Sequence, residues 1–355
     1  MSAMTSRERF QCMYEHKEAD RIPIIDSPWG ATIERWHKEG MPEDTTFVDF
    51  FGLDRVARIG VDNSPQFPSE VVEETDDYKV TVTPWGAKLK NWKHIASTPE
   101  FIDFRVTDPD TWQEAKKRMK PSRDRVNWDN LRENYPQWKE KGYWIHGGGW
   151  FGFDITHSWF VGTERILLAI ARDPEWCIDM FNHELEVNLA LLDMVWDEGY
   201  KFDTLRWPDD MGYKYNQFFS IDTYREILKP IHRRAIEWAH EKGIKAELHS
   251  CGNVVPFVAE LVEIGLDALN PLEVKAGMDP IELKEQHGDE LVLHGGINAV
   301  LWDEPDEIKQ EMERVIPTVK QNGGYIFSSD HSVPSSVGLE DFRQIVELAK
   351  ELGSY

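Results

Sequence analysis

The sequence predicts an α/β protein, a (β/α)8 TIM barrel with an N-terminal helical extension and a β-hairpin insertion. Three observations lead there. Eight short β-rich runs bounded by turn residues can be picked out along the chain; amphipathic stretches separate the later ones; and 355 residues with 41% hydrophobic content suit one large barrel better than two ordinary domains. The runs are Ile22 to Asp26, Val56 to Asp62, Tyr143 to Gly147, Thr204 to Trp207, Lys245 to His249, Ala268 to Pro271, Leu291 to Gly295 and Gly324 to Ser328. The intervening stretches Ile221 to Lys242, Val254 to Ile264, Pro280 to His287 and Glu304 to Gln321 repeat apolar residues at three- and four-residue spacing, as helices packed on a sheet do. Alternating units of this kind indicate a parallel sheet closed on itself.

An N-terminal helix is expected from Thr5 to His16, with a capping start within Ser6 to Arg9. Between Val61 and Tyr143 the regularity fails. Val71 to Thr83 alternates with a period of two around Asp76-Asp77, which predicts a hairpin insertion at about 71–92. Neither an internal repeat nor a flexible linker stands out, so one barrel domain spanning 1–355 is expected.

Composition narrows the function classes. Sixty-four acidic against 40 basic residues leave a formal charge of -24, which repels nucleic acid, anionic membrane and polyanionic substrates. No run approaches the ~20 apolar residues that cross a bilayer, and no apolar stretch follows Met1 to Arg7, which predicts a cytoplasmic protein without membrane contact. Three scattered cysteines, Cys12, Cys177 and Cys251, are thiols or ligands and not a disulfide framework. Fifteen tryptophans can fill a core or flank a flat ligand.

In a barrel the catalytic groups follow the strand ends. The polar residues there are Asp26, Asp62 and Asn63, His146, Asp209 and Asp210, His249 and Cys251, Asn270 and Glu273, His294, and Asp330 with His331. In His249-Ser250-Cys251 a single spacer on an extended strand end points both side chains the same way, and imidazole with thiolate is a soft pair suited to zinc. Its bland alternative is a buried cysteine beside a hydrogen-bonded histidine. His331, after the last strand, is the candidate third ligand, or else a substrate-orienting histidine; Glu273 is a possible fourth. Asp209 and Asp210 are the candidate acid or base, one of them being explicable as a helix cap. Trp150 and Trp207 are expected to sandwich a ring, with His146 and Asn270 as further substrate-binding groups. The Gly147 to Gly149 run permits close backbone approach to a ligand but matches no nucleotide fingerprint.

Taken together, Arg7-Glu-Arg-Phe, Asp20-Arg21-Ile-Pro, Pro208-Asp-Asp-Met-Gly, His249-Ser-Cys-Gly-Asn, Asn270-Pro-Leu-Glu, His294-Gly-Gly-Ile-Asn and Gly323-Gly-Tyr-Ile-Phe resemble the uroporphyrinogen decarboxylase superfamily over nearly the whole chain. The resemblance implies a (β/α)8 barrel and one of two chemistries, cofactor-free decarboxylation of a porphyrinogen or zinc-dependent methyl exchange with a corrinoid protein. The decarboxylase branch's arginine-bearing segment is replaced here by Ile24-Ile-Asp-Ser-Pro-Trp-Gly-Ala, which weighs against a porphyrinogen carrying eight carboxylates. The methyltransferase branch's His-x-Cys pair is matched by His249 and Cys251, whereas its later cysteine is replaced by Asp330-His331. The expectation is therefore a zinc-dependent methyltransferase moving a methyl group from a small donor, an aromatic methyl ether on the strength of the tryptophans, to a corrinoid carried by a partner protein. Transfer from a methyl-corrinoid to a thiol, a metal-free lyase, and a non-catalytic binding barrel are the alternatives.

Overall fold

The computed structural model describes residues 4–94 and 98–355. Seven parallel strands form one curled sheet in the order β1 (Val56–Gly60), β6 (Trp144–Gly148), β7 (Thr204–Pro208), β10 (Lys245–His249), β11 (Ala268–Asn270), β12 (Val292–His294), β13 (Tyr325–Ile326). Each lies within or overlaps a run picked out from sequence. Helices Pro174–Asp197, Lys229–Glu241, Val255–Glu263, Pro280–His287 and Pro305–Val319 follow successive strands, as right-handed βα crossovers require.

The expected first strand differs. Residues 22–26 occupy the gap between β13 and β1 but make only one ladder bridge, Ile24 to Phe327. Pro23 has no N–H to give, and the Ile24 N–H is taken by the Asp54 carboxylate at 2.8 Å. On the other side the Asp54 N–H bonds the Ile24 carbonyl at 2.8 Å. The eighth stave is thus held by a side chain as much as by a ladder. Asp54 is fully buried and also pairs with Arg9 at 2.9 Å and Arg21 at 2.6 Å.

Arg9 lies on helix Ser6–Tyr14, which starts one residue later than expected behind a Thr5–Glu8 capping box. The insertion is larger than the predicted hairpin. Four antiparallel strands, β2 (Glu70–Glu74), β3 (Tyr78–Val82), β4 (Ala87–Trp92) and β5 (Glu100–Phe104), form a separate sheet, with the expected turn at Asp76-Asp77 joining the first two. A short ribbon, β8 (Gly212–Tyr213) with β9 (Asn216–Gln217), follows β7.

The ladder registers decide what faces inward. Arg58 sits opposite His146, Arg206 opposite Glu247, and His249 opposite Asn270. Because side chains alternate along a strand, Arg58, His146, Arg206, Glu247, His249, Asn270 and His294 share the lumen face. Their neighbours Ile59, Ile145, Leu205, Trp207, Leu248, Leu269 and Leu293 face the helices and are buried in the apolar core. No described helix is long and apolar enough to cross a membrane.

Removing the Asp54 carboxylate takes from Arg21 its carboxylate partner and from Arg9 one of two, the other being Asp20 at 2.6 Å, and releases the closing stave. Asp54→Ala should lower unfolding free energy by about 3 kcal/mol or more in urea titration, the cost typical of breaking a buried ion pair from one side.

Candidate metal centre in the barrel lumen

A cavity of about 530 Å3 opens at the carboxyl ends of the strands, lined among others by Asp26, Arg58, His146, Trp150, Arg206, His249, Cys251, Asn270, His294 and His331. On one wall, Asp210, His249 and Cys251 bring three ligand atoms within 4.8 Å of one another. Local chain geometry makes this cluster. His249 ends β10, Asp210 lies just past Pro208 at the end of β7, and those two strands pair directly. The Cys251 N–H bonds an Asp210 carboxylate oxygen at 2.8 Å, fixing the two loops together, and Cys251 Sγ lies 3.5 Å from His249 Nε2. Gly252, at φ +77, takes the chain past Gly212, where a Cβ would sit 2.3 Å from the Gly212 carbonyl carbon. The Gly252 N–H is bonded by Glu273 at 2.6 Å.

Asn270 sets the tautomer of His249. Its Oδ1 accepts from His249 Nδ1 at 2.6 Å and from Arg206 at 2.7 Å, so the proton stays on Nδ1 and the Nε2 lone pair is directed at Cys251 and Asp210. Asn270, expected to bind substrate, is therefore a histidine-orienting residue on the cavity wall. Burial lowers the pKa of His249 despite the neighbouring Asp210 carboxylate, which favours the neutral imidazole that ligates metal. Burial, with Asp210, Glu273 and Asp154, pushes the Cys251 thiol well above its ordinary value. A thiolate there calls for a cation beside it. One nitrogen, one sulfur and one carboxylate, with one nitrogen already tied to a carbonyl oxygen, is a donor set that fits zinc.

Three expectations are corrected by the geometry. Trp207 is fully buried on the outer face of β7, stacked on Phe151 at 5.4 Å, and cannot flank a ligand. Asp209, one alternation further along, is also fully buried; it accepts from His232 Nε2 at 2.8 Å and from the Asp154 N–H at 2.7 Å, a scaffold role and not that of a solvent-reached acid or base. Asp210, paired with it in the expectation, stands instead among the atoms that could hold a metal ion. His331 lines the cavity mouth, exposed, with its ring 6.5 Å from that of Trp29, and lies outside the three-ligand cluster, whose third member is Asp210.

The glycine run also serves the protein itself. A Cβ at Gly148 would meet the Arg206 carbonyl oxygen at 2.0 Å, and one at Gly149 the Asn188 side chain at 1.7 Å. Behind it Trp150 does line the cavity, half-buried, its ring tilted against Trp159. His146 is buried there too, and burial, outweighing Glu247, drives its pKa down to about 3, so it is neutral.

Sequence reasoning passed over the acid-base network beneath the donor set. Glu247 is fully buried and accepts from Arg206 at 2.8 Å, His294 at 2.9 Å and Tyr14 at 2.7 Å; against the cost of burial, His294 and Arg206 hold its carboxyl well below the usual range. Asp154 is raised well above the usual value, by burial and then by Asp210 and Asp209. Alternation along β1, β7 and β10 was the available signal for the strand residues; Asp154 carried none.

Residues 158–352 match the family described as uroporphyrinogen decarboxylase (URO-D). The chain belongs to the uroporphyrinogen decarboxylase family. No curated protein matches the sequence. Among solved structures, a methyltransferase from Methanosarcina mazei superposes with a TM-score of 0.67 at 16% identity, over 98% of this chain and 99% of that one. A xylose isomerase-like TIM barrel protein from Mycobacterium smegmatis, in complex with magnesium, reaches a TM-score of 0.31 at 11% identity, over 71% of this chain and 92% of that one. The first shows that this member of the uroporphyrinogen decarboxylase family has the same barrel fold as that protein.

Two predictions follow from the site's electrostatics. Asn270→Ala should weaken zinc binding about 10- to 100-fold, read by competition with a chelator, because His249 loses the partner that orients it. Asp26, on the opposite cavity wall and bonded by the Ser329 hydroxyl at 2.6 Å, has its pKa pushed up to about 6 by burial. A raised folded-state pKa makes the folded chain hold a proton the unfolded chain has released, so this residue's contribution to stability is full below about pH 4 and lost as pH rises through about 6. Asp26→Asn should remove that part of the pH slope, on the order of 1–3 kcal/mol, in urea unfolding followed from pH 4 to 7.

Proposed function

We propose that this chain is a zinc-dependent methyltransferase, taking a methyl group from a small donor, an aromatic methyl ether, and passing it to a corrinoid carried by a partner protein. The observation that carries the reading is the donor set of Asp210, His249 and Cys251 at the carboxyl end of the lumen. Family membership and the barrel shared with a methyltransferase support it. The absence of the arginine-bearing segment at Ile24 to Ala31 disfavours porphyrinogen decarboxylation.

His249 Nε2, Cys251 Sγ and an Asp210 carboxylate oxygen would hold the zinc, which supplies Lewis acidity to the donor oxygen as it loses its methyl group. The remaining work belongs to the chain. Asn270 keeps the Nε2 lone pair of His249 free, and the Cys251 N–H holds Asp210 in place. Trp150 offers an aromatic wall for the donor ring, and Glu184, fully buried, fixes the loop behind it by accepting from the Gly152 N–H at 3.0 Å. The methyl group leaves oxygen for the partner's reduced cobalt, and the phenolate left behind takes a proton from water at the open mouth. Bound in one cavity, donor and cobalt need no further chemistry from the protein than orientation and charge.

The test is single-turnover methylation of a reduced corrinoid protein by methoxybenzenes, followed by the loss of the Co(I) absorbance. Transfer by the zinc-loaded chain, reduced about 100-fold or more in Cys251→Ala, is the expected result. No transfer from any methyl ether, or undiminished transfer in that variant, would contradict it.

A further inference from the structure

The lumen holds a cation without a counter-ion. Arg58 projects from the middle of β1 into the cavity, and among the described residues it has no hydrogen-bond or ion-pair partner. Arg206, on a strand about 10 Å away across His146, bears on it as a like charge. Arg206 gives Nε to Glu247 and one Nη to Asn270, leaving its other Nη without a bond. Glu247 is fully engaged by Arg206, His294 and Tyr14. The other acids at the cavity accept from other groups: Asp26 from Ser329, Asp330 from the backbone N–H groups of Val274 and Ala299, and Asp210 from the Cys251 N–H. Arg58 is thus exposed to the cavity with its guanidinium unpaired among the described residues, inside a chain whose overall charge is -24. A guanidinium with no partner in a concave site is available to a ligand that brings the matching charge.

We propose that Arg58, with the free Nη of Arg206, forms a carboxylate subsite, so that the donor is a small organic acid whose anionic end is held on β1 and β7 while its reacting end meets Asp210, His249 and Cys251. This rests on the methyltransferase reading and specifies its substrate class. A planar guanidinium pairs with a carboxylate through two parallel bonds. His146, lying between the two arginines on β6, is neutral and adds no second cation for a phosphate dianion. Arg206 and His249 share the Asn270 oxygen, so the Arg206 end of the subsite is one side chain from the donor set. The subsite is built on β1 and β7 and not on the Ile24 to Ala31 segment, whose missing arginines argued against a polycarboxylate.

The test is calorimetric titration of the zinc-loaded chain with 3-methoxybenzoate and its neutral isostere 3-methoxybenzamide, repeated on Arg58→Met and Arg58→Lys. The acid should bind at least about 10-fold more tightly than the amide. Arg58→Met should weaken the acid about 10- to 100-fold while leaving the amide unchanged, and Arg58→Lys should fall between. Equal affinity for acid and amide, no binding of the acid, or unchanged acid affinity in Arg58→Met would overturn the proposal; the acid–amide comparison on the unaltered chain decides even where a variant does not fold. Zinc content and methyl transfer, measured on the same samples, report separately on the methyltransferase reading.

Discussion

An ionised glutamate in the middle of a barrel stays ionised only if donors surround it, and the lumen is arranged to meet that demand at Glu247. Tyr14 reaches it from the N-terminal helix, Arg206 from β7 and His294 from β12. The constraint propagates upward. Arg206, oriented by Glu247, bonds the Asn270 oxygen; Asn270, so placed, orients His249; and His249 then directs its second nitrogen at Cys251 and Asp210. The donor set is the top layer of a polar column that begins at a buried carboxylate, and the rigidity a metal centre needs comes from that column and not from the loops alone.

The same alternation that builds the column separates what can act from what can only support. Pro208 and Trp207 are adjacent in sequence, yet the first lines the cavity and the second is stacked in the core. Asp209 and Asp210 divide in the same way: one anchors His232 and the Trp150-bearing loop behind the barrel wall, the other stands at the mouth among the ligand atoms. The scaffold carboxylate is not idle, since it adds to burial and to Asp210 in raising the Asp154 carboxyl well above its ordinary range.

Most of the barrel was legible because short β-branched runs and amphipathic helices recur with turn residues between them. Seven of the eight runs are strands. The eighth, at 22–26, was misjudged in kind because Pro23 and the Asp54 side chain replace ladder bonds that sequence pattern cannot distinguish from ordinary ones. In the insertion the Val71 to Thr83 alternation marked one hairpin, while β5, Glu-Phe-Ile-Asp-Phe, is too short and acidic to stand out. At the site, His249 and Cys251 announced themselves by spacing. Asp210 against Asp209, and Trp150 against Trp207, needed the strand phase to be carried past the strand end, and Arg58 needed it within a strand whose polar residue looked like surface.

The central claim is that Asp210, His249 and Cys251 together bind zinc. X-ray absorption at the zinc edge on the purified, zinc-reconstituted chain tests it most directly. The account predicts one sulfur scatterer at about 2.3 Å with nitrogen and oxygen at about 2.0–2.2 Å, the sulfur vanishing in Cys251→Ser and the oxygen shell changing in Asp210→Asn. A zinc shell without sulfur, or no retained zinc after reconstitution, would contradict it.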